Sequence, residues 1–203
     1  MSNDSYLIVG LGNPGAGYSA NRHNVGQMAL DVLAARIGGS YKKAKTNAVV
    51  AEGRLVVAAG AGSDSDGPRT VKVVLAKSTG YMNTSGGPVS ALLKFYDIPL
   101  SNLIVLHDEL DIDAEKVRLK FAGGHGGHNG LRDIIAACDG GDFARVRIGI
   151  GRPPGQMDTA DFVLRDFSST ERKELPTTLE IAADAVEAII AEGVAKATMR
   201  FHV

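Results

Sequence analysis

Two short stretches constrain this chain more than anything else in it: residues 6–9 (YLIV) and 103–106 (LIVL). Each is wholly apolar, and each gives way at once to glycine or charge. Such a run has no polar face to offer water, so it must be covered on both sides. A run of that length bounded by breakers reads as a buried strand. Strand composition returns at 71–76, 116–121 and 143–150. Residues 48–51 and 55–59 flank Glu52-Gly53-Arg54 and resemble a hairpin with its turn at the glycine.

Helical periodicity fills the intervals. Val25, Met28, Ala29, Val32 and Ala35 recur at the helical repeat, predicting a helix to about Arg36 that closes at Gly38-Gly39. Thr84 or Ser85 is placed to cap a helix reaching about Tyr96. A short helix is expected from Asn129 or Gly130 to about Ala137, and a long amphipathic one over 169–192, capped by Ser168 or Ser169. Strands alternating with helices predict an α/β fold: a single domain over 1–203 with a twisted, mixed and mostly parallel β-sheet covered by helices on both faces. Residues 60–69 open with GAGSDSDGP, small and polar, and read as a flexible surface insertion.

Composition narrows the function classes. The chain has 203 residues, and 22 Lys and Arg against 23 Asp and Glu give a net charge of -1, which excludes a strongly basic, sequence-blind nucleic-acid binder. A local basic patch remains open, because binding depends on where charge sits. Cys138 is the only cysteine, so neither an internal disulfide nor a cysteine-rich zinc site is expected. No apolar run is long enough to span a bilayer and the start lacks a signal-peptide pattern, so a cytoplasmic protein with no membrane contact is expected.

Chemistry concentrates in three places. The first strand runs into Gly10-Leu11-Gly12-Asn13-Pro14-Gly15, but the helix opens only near Val25 and Pro14 removes a backbone donor, which argues against a dinucleotide fingerprint. His107-Asp108-Glu109 follows a buried strand, and strand ends in open α/β sheets are where ligands bind. His125 and His128 stand in GGHGGHNG, where a helix starting at Asn129 aims free N–H groups and a positive dipole end at the site. One reading of His23, Asp108, Glu109, His125 and His128 is a metal site. The other needs no metal: a neutral His23 acts as general base toward water, a carboxylate orients it, and Asn13, Asn83 and Asn129 hold an amide backbone or an oxyanion. No Gly-x-Ser-x-Gly elbow is present, which argues against a serine acyl-enzyme. His107 precedes Asp108 on a strand and should face the other way, in a structural role. His125 reads as a loop-packing residue, and His202 has no assignable role.

Six stretches together resemble the bacterial-type peptidyl-tRNA hydrolase family: LIVGLGNPGAGY (7–18), RHNVG (22–26), GYMNTSG (80–86), HDELD (107–111), GGHGGHNGLRDI (123–134) and VRIGIGRP (146–153). They run in family order over nearly the whole chain. The resemblance implies hydrolysis of the ester joining a peptide to the 3′ end of tRNA, releasing tRNA for reuse, by a monomeric, cytoplasmic enzyme without a metal or other cofactor. It implies His23 as the catalytic histidine and Asp108 as its partner. Asn13, Asn83 and His128 match positions that contact the peptide, and Asn129 an amide near the reacting water. Met82 and Tyr18 match residues lining the same crevice. Arg118 and Lys120 match basic positions for tRNA, and Arg132 and Arg147 join them by placement alone. The chain departs from the family pattern at Ser78, Gly80 and Met199 and in the length of the insertion, which bears on substrate affinity more than on reaction type. Competing expectations are a metal-dependent esterase or amidase built on His23, His128 and Asp108, and an RNA-binding relative without activity.

Overall fold

The computed structural model describes residues 4–59 and 67–202. Among the described residues, seven strands form one sheet in the order β2-β3-β4-β1-β5-β7-β6. They are β1 Ser5–Gly10, β2 Lys42–Ala44, β3 Ala48–Val57, β4 Arg69–Ser78, β5 Leu103–Glu109, β6 Val117–Phe121 and β7 Ala144–Gly149. The four central strands β4, β1, β5 and β7 run parallel, and β2, β3 and β6 add antiparallel edges. The mixed, centrally parallel sheet is therefore as the alternation of elements predicted.

Six α-helices accompany it among the described residues: α1 Val25–Arg36, α2 Gly86–Phe95, α3 Asn129–Ala137, α4 Thr159–Val163, α5 Ser169–Glu192 and α6 Val194–Phe201. Alternation along the strands divides the core. Ile8, Leu75, Ile104, Leu106 and Val146 pack with α1 and α5, while Leu7, Val9, Val74, Leu103 and Val105 pack with α2 and α3. Both faces are dry, which is why the central strands carry no polar alternation.

Three local readings change. The hairpin expected at Glu52-Gly53-Arg54 is instead the middle of β3, which pairs with β4 without interruption from Ala48↔Ser78 to Val57↔Arg69. Gly53 serves close approach there, since a Cβ on it would lie 2.8 Å from Ile37 Cδ1. Residues 60–66 of the expected insertion lie outside the described residues, and its last residue, Arg69, already belongs to β4. The caps differ as well. Ser85 turns its hydroxyl to Met82 O, and the N–H of Gly86 at the start of α2 donates to Asp133 of α3. Ser168 does cap α5, through a reciprocal pair of bonds with Glu171. The short polar β2 and the final helix α6 carried no signal above their neighbours.

One contact seats the site. A Cβ on Gly26 would lie 2.2 Å from Leu106 O, and one on Gly10 2.5 Å from Gly26 O. The first turn of α1 therefore rests directly on the backbones of β1 and β5, and the residues just before it hang over the carboxyl end of the sheet.

Candidate active site

His23 sits in a single 3₁₀ turn, Arg22–Asn24, at that end of the sheet. Asp108 is the sixth residue of β5 and is 3% exposed. The His23 ring reaches it directly, Nδ1 to Oδ2 at 2.8 Å. The other carboxylate oxygen meets His128, Nε2 to Oδ1 at 2.8 Å. The two imidazoles lie 5.0 Å apart, centroid to centroid.

Hydrogen bonding assigns the protons. His128 precedes α3, and its Nδ1 accepts from the backbone N–H of Gly130 at 3.1 Å and of Leu131 at 3.4 Å. A nitrogen that accepts carries no proton, so the proton of neutral His128 is on Nε2 and donates to Asp108. Burial pushes the Asp108 carboxyl up, but the facing His128 and His23 outweigh it and hold it well below the usual carboxylate range. Asp108 is thus an anion accepting from both rings. His23 donates through Nδ1, and its Nε2 is left with a lone pair.

This assignment bears on the metal alternative. His23, Asp108 and His128 each offer one candidate ligand atom, all within 4.8 Å of one another. Ligation through His128 Nε2 would require that nitrogen to give up its proton while Nδ1 still accepts from two amides. The residues therefore fit a hydrogen-bonded chain better than a metal cage. The helix N-terminus also differs from expectation. The N–H groups of Gly130 and Leu131 go to the His128 side chain and that of Arg132 to His128 O, so they are not free for a substrate.

A second group of residues is built on amides. Asn13 is 8% exposed. Asn24 brackets its backbone on both sides, accepting from Asn13 N and donating to Asn13 O, each at 2.9 Å. Asn13 Oδ1 in turn accepts from Met82 N at 2.7 Å. With its oxygen taken by Met82 N, Asn13 has Nδ2 as its side-chain donor at the border of the crevice. Asn24 was not singled out by sequence reasoning; its only signal was a second polar residue directly after His23.

These residues line a crevice of about 590 Å³. Asn13, His23, Met82, Asn83, Asp108, His128 and Asn129 all border it. Met82 is buried beneath it, while Asn83 and Asn129 are exposed. Tyr18 stands one layer back, its ring edge-on to Tyr81 at 6.3 Å, and Tyr81 forms the rim. The lining also has an apolar part that was not foreseen, Leu110 after β5 with Ala160, Val163 and Leu164 of the α4 region, beside the polar Glu109, Asp111, Arg152 and Thr159.

His107 is buried, and its Nδ1–H donates to the backbone oxygen of Asp108 at 2.8 Å. Burial, then the neighbouring His128, push it down to about 3, so it is neutral. His125 accepts from Gly127 N within the loop, and His202 from Leu119 N on the edge strand β6. Arg145, also missed, is buried and donates to the carbonyls of Gly123, Gly124 and Gly141, clamping the loop that carries His128. That loop needs glycine, with Gly123, Gly126 and Gly127 at φ of 97°, 57° and 85°.

Three of the basic candidates lie on the edge strand β6 and its neighbour β7, and Arg132 lies on α3. Arg118 pairs across the sheet with Arg147, and Lys120 with Arg145. Lys120 is exposed and its ammonium lies against Gly123. Arg147 is half-buried, 4.0 Å from Glu109. Arg118 donates to Phe201 O at 2.7 Å, and Arg132 to Asn129 Oδ1 at 3.2 Å.

Comparison with known proteins gives a consistent result. The model of the family described as peptidyl-tRNA hydrolase matches residues 7–203. A peptidyl-tRNA hydrolase of Arthrobacter sp. (strain FB24) is 60% identical over 199 residues, covering 98% of this chain and 97% of its own length. That of Leifsonia xyli is 59% identical over 197 residues, covering 97% and 96%. Among solved structures, peptidyl-tRNA hydrolase from Acinetobacter baumannii superposes with a TM-score of 0.81 at 34% identity, covering 99% of this chain and 96% of that one.

Proposed function

Since the chain belongs to the peptidyl-tRNA hydrolase family and hydrolyses the ester of peptidyl-tRNA, we propose that His23 is the general base of that reaction and Asp108 the anion that orients it. The observation that carries this reading is the 2.8 Å contact between His23 Nδ1 and the buried Asp108 carboxylate. It leaves Nε2 unprotonated and facing the crevice. Nε2 takes a proton from water, and the hydroxide attacks the ester carbonyl. Asp108 stabilises the imidazolium that forms. Asn13 Nδ2 is the donor held toward the developing oxyanion, and Asn83 and Asn129 bind the peptide amides beside it. Collapse breaks the bond to the ribose 3′ oxygen, which leaves with the proton returned from His23 Nε2. The products are a peptide carboxylate and a tRNA with a free 3′ hydroxyl.

His128 acts on Asp108, because both its nitrogens are engaged within the protein; a substrate meets only its ring. Met82 and Tyr81, braced by Tyr18, form the floor and rim. The proton assignment supports a reaction without metal. No helix among the described residues is long and apolar enough to cross a membrane. Lys120 and Arg147, with Arg118 and Arg132 beside them, form the flank that takes the tRNA backbone. Lys120→Ala with Arg147→Ala should weaken tRNA binding and lower the slope of log affinity against log salt by about 2; an unchanged slope removes both from the RNA site.

The deciding experiment is hydrolysis of an N-blocked aminoacyl-tRNA by the wild type and by His23→Ala, with and without a chelator. Chelator-resistant turnover that falls by roughly 10²–10⁴ in the variant is expected. Turnover that survives His23→Ala, or that the chelator abolishes, overturns the mechanism.

A further inference from the structure

Arg22, the neighbour of the base, is a charged residue only 7% exposed. Its side chain turns away from the substrate, into the junction between α4 and the start of α5. One Nη2–H donates to Glu171 at 2.7 Å, and Nη1 lies 3.4 Å from both Phe162 O and Arg165 O. The guanidinium sits over the Phe162 ring at 4.2 Å and near that of Phe167 at 5.7 Å. The backbone follows the same path: Arg22 N donates to Arg165 O at 3.0 Å, and Asn21 Nδ2 to Asp166 at 2.7 Å. Glu171 is itself held, since its carboxylate accepts from Ser168 N at 2.6 Å in the cap of α5. Burial raises the Glu171 carboxyl, but the Ser168 bonds and Arg22 outweigh it and keep it charged.

Phe162 is the inward residue of α4, and the same short helix presents Ala160 and Val163 to the crevice, with Leu164 directly after it. One guanidinium thus grips the element forming the apolar part of the lining, while its own backbone forms the turn that carries His23. We propose that Arg22 is a positioning residue, bolting the base-bearing turn to α4 so that His23 and that apolar lining keep one fixed spacing in the crevice. This inference rests on the reading of His23 as the base.

Lysine at this position keeps the charge facing Glu171 but loses the flat stacking on Phe162 and the fork that divides its donors between Glu171 and the two carbonyls. For Arg22→Lys, kcat/KM for N-blocked aminoacyl-tRNA should fall about tenfold or more, because small displacements of a reacting group are costly. Both constants should move: kcat falls as His23 loosens from Asp108, and KM rises as the apolar lining loosens. The acid limb of the kcat profile should shift to lower pH, since a longer bond to Asp108 favours the imidazolium less. Glu171→Gln keeps a hydrogen-bonding oxygen without the charge and should show the same pattern more weakly; it also serves if Arg22→Lys does not fold. Arg36→Ala, which breaks ion pairs to α5 far from the crevice, is the control for lost stability alone, and each protein is assayed well below its own melting temperature. If Arg22→Lys and Glu171→Gln melt earlier but keep kcat, KM and the acid limb, as Arg36→Ala should, Arg22 is a stability residue and the proposal is wrong. Should His23→Ala retain activity in the same assay, the base assignment fails instead, whatever Arg22 does.

Discussion

The two ends of the crevice solve one problem by opposite means. At one end Asp108, 3% exposed, carries a full charge and is satisfied by two imidazoles that must each present a proton. At the other end Asn13 is held by Asn24 and Met82 N through groups that never ionise. Both fix a polar side chain that borders the crevice in one orientation. The first depends on protonation, and a change there alters charge in a buried place. The second is geometry alone, indifferent to pH between the carboxylate and phenol ranges. A buried charge is costly unless paired, whereas a buried amide needs only its hydrogen bonds.

The largest separation of the two ends should come from paired substitutions. Asp108→Asn keeps the shape and removes the charge. Its amide can donate to His23 Nδ1, which forces the ring's proton to Nε2, the nitrogen that must be free. A loss in kcat of up to about 10⁴ is expected, by analogy with carboxylate-oriented histidines elsewhere. Asn13→Ala removes one uncharged donor, and a loss of about 10²–10³ is expected. The pH profiles should divide them further: Asn13→Ala keeps the wild-type acid limb, and Asp108→Asn loses it. Single-turnover rates across pH 5–8 measure both. If Asn13→Ala moves the limb, the two ends are electrostatically coupled and the contrast fails.

How much of this the sequence made legible follows the same division. The buried strands were readable because apolar runs leave no alternative to burial. The structure brings His23, Asp108 and Asn13 to one crevice; Asp108 near a strand end and Asn13 in a glycine-rich turn stood where polar residues gather for a ligand, whereas His23 was singled out by its residue type and the family resemblance. Gly53 misled because glycine marks both a turn and a close approach, and only the partner, Ile37, tells them apart. Arg22 and Asn24 were hidden in plain view beside His23, since their partners, Glu171 and Phe162 for one and Asn13 for the other, lie far off or carry no pattern in common. The direction of the His128 ring was equally hidden. A helix start suggested N–H groups free for substrate, but those of Gly130 and Leu131 bind the side chain that precedes them.

That ring supplies the smallest effect and the sharpest one. Asp108 divides its charge between two donors, His23 on Oδ2 and His128 on Oδ1. Asparagine at position 128 caps a helix well, so α3 should persist in His128→Asn. Its shorter side chain does not reach Asp108 as the imidazole does. The sign follows from what each protonation state of His23 gains. A carboxylate that no longer donates part of its charge to His128 attracts the His23 imidazolium more strongly and the neutral ring hardly more. The protonated form is favoured, so the acid limb of kcat should move to higher pH. Well above the limb, kcat should change by less than about tenfold, because the proposed base, His23, and Asp108 both remain. The opposite shift would mean that His128 supports His23 through Asp108 and does not compete with it for the carboxylate. The two imidazoles would then act as one charged unit, and the protonation-dependent end of the crevice would include the glycine loop as well as the strand.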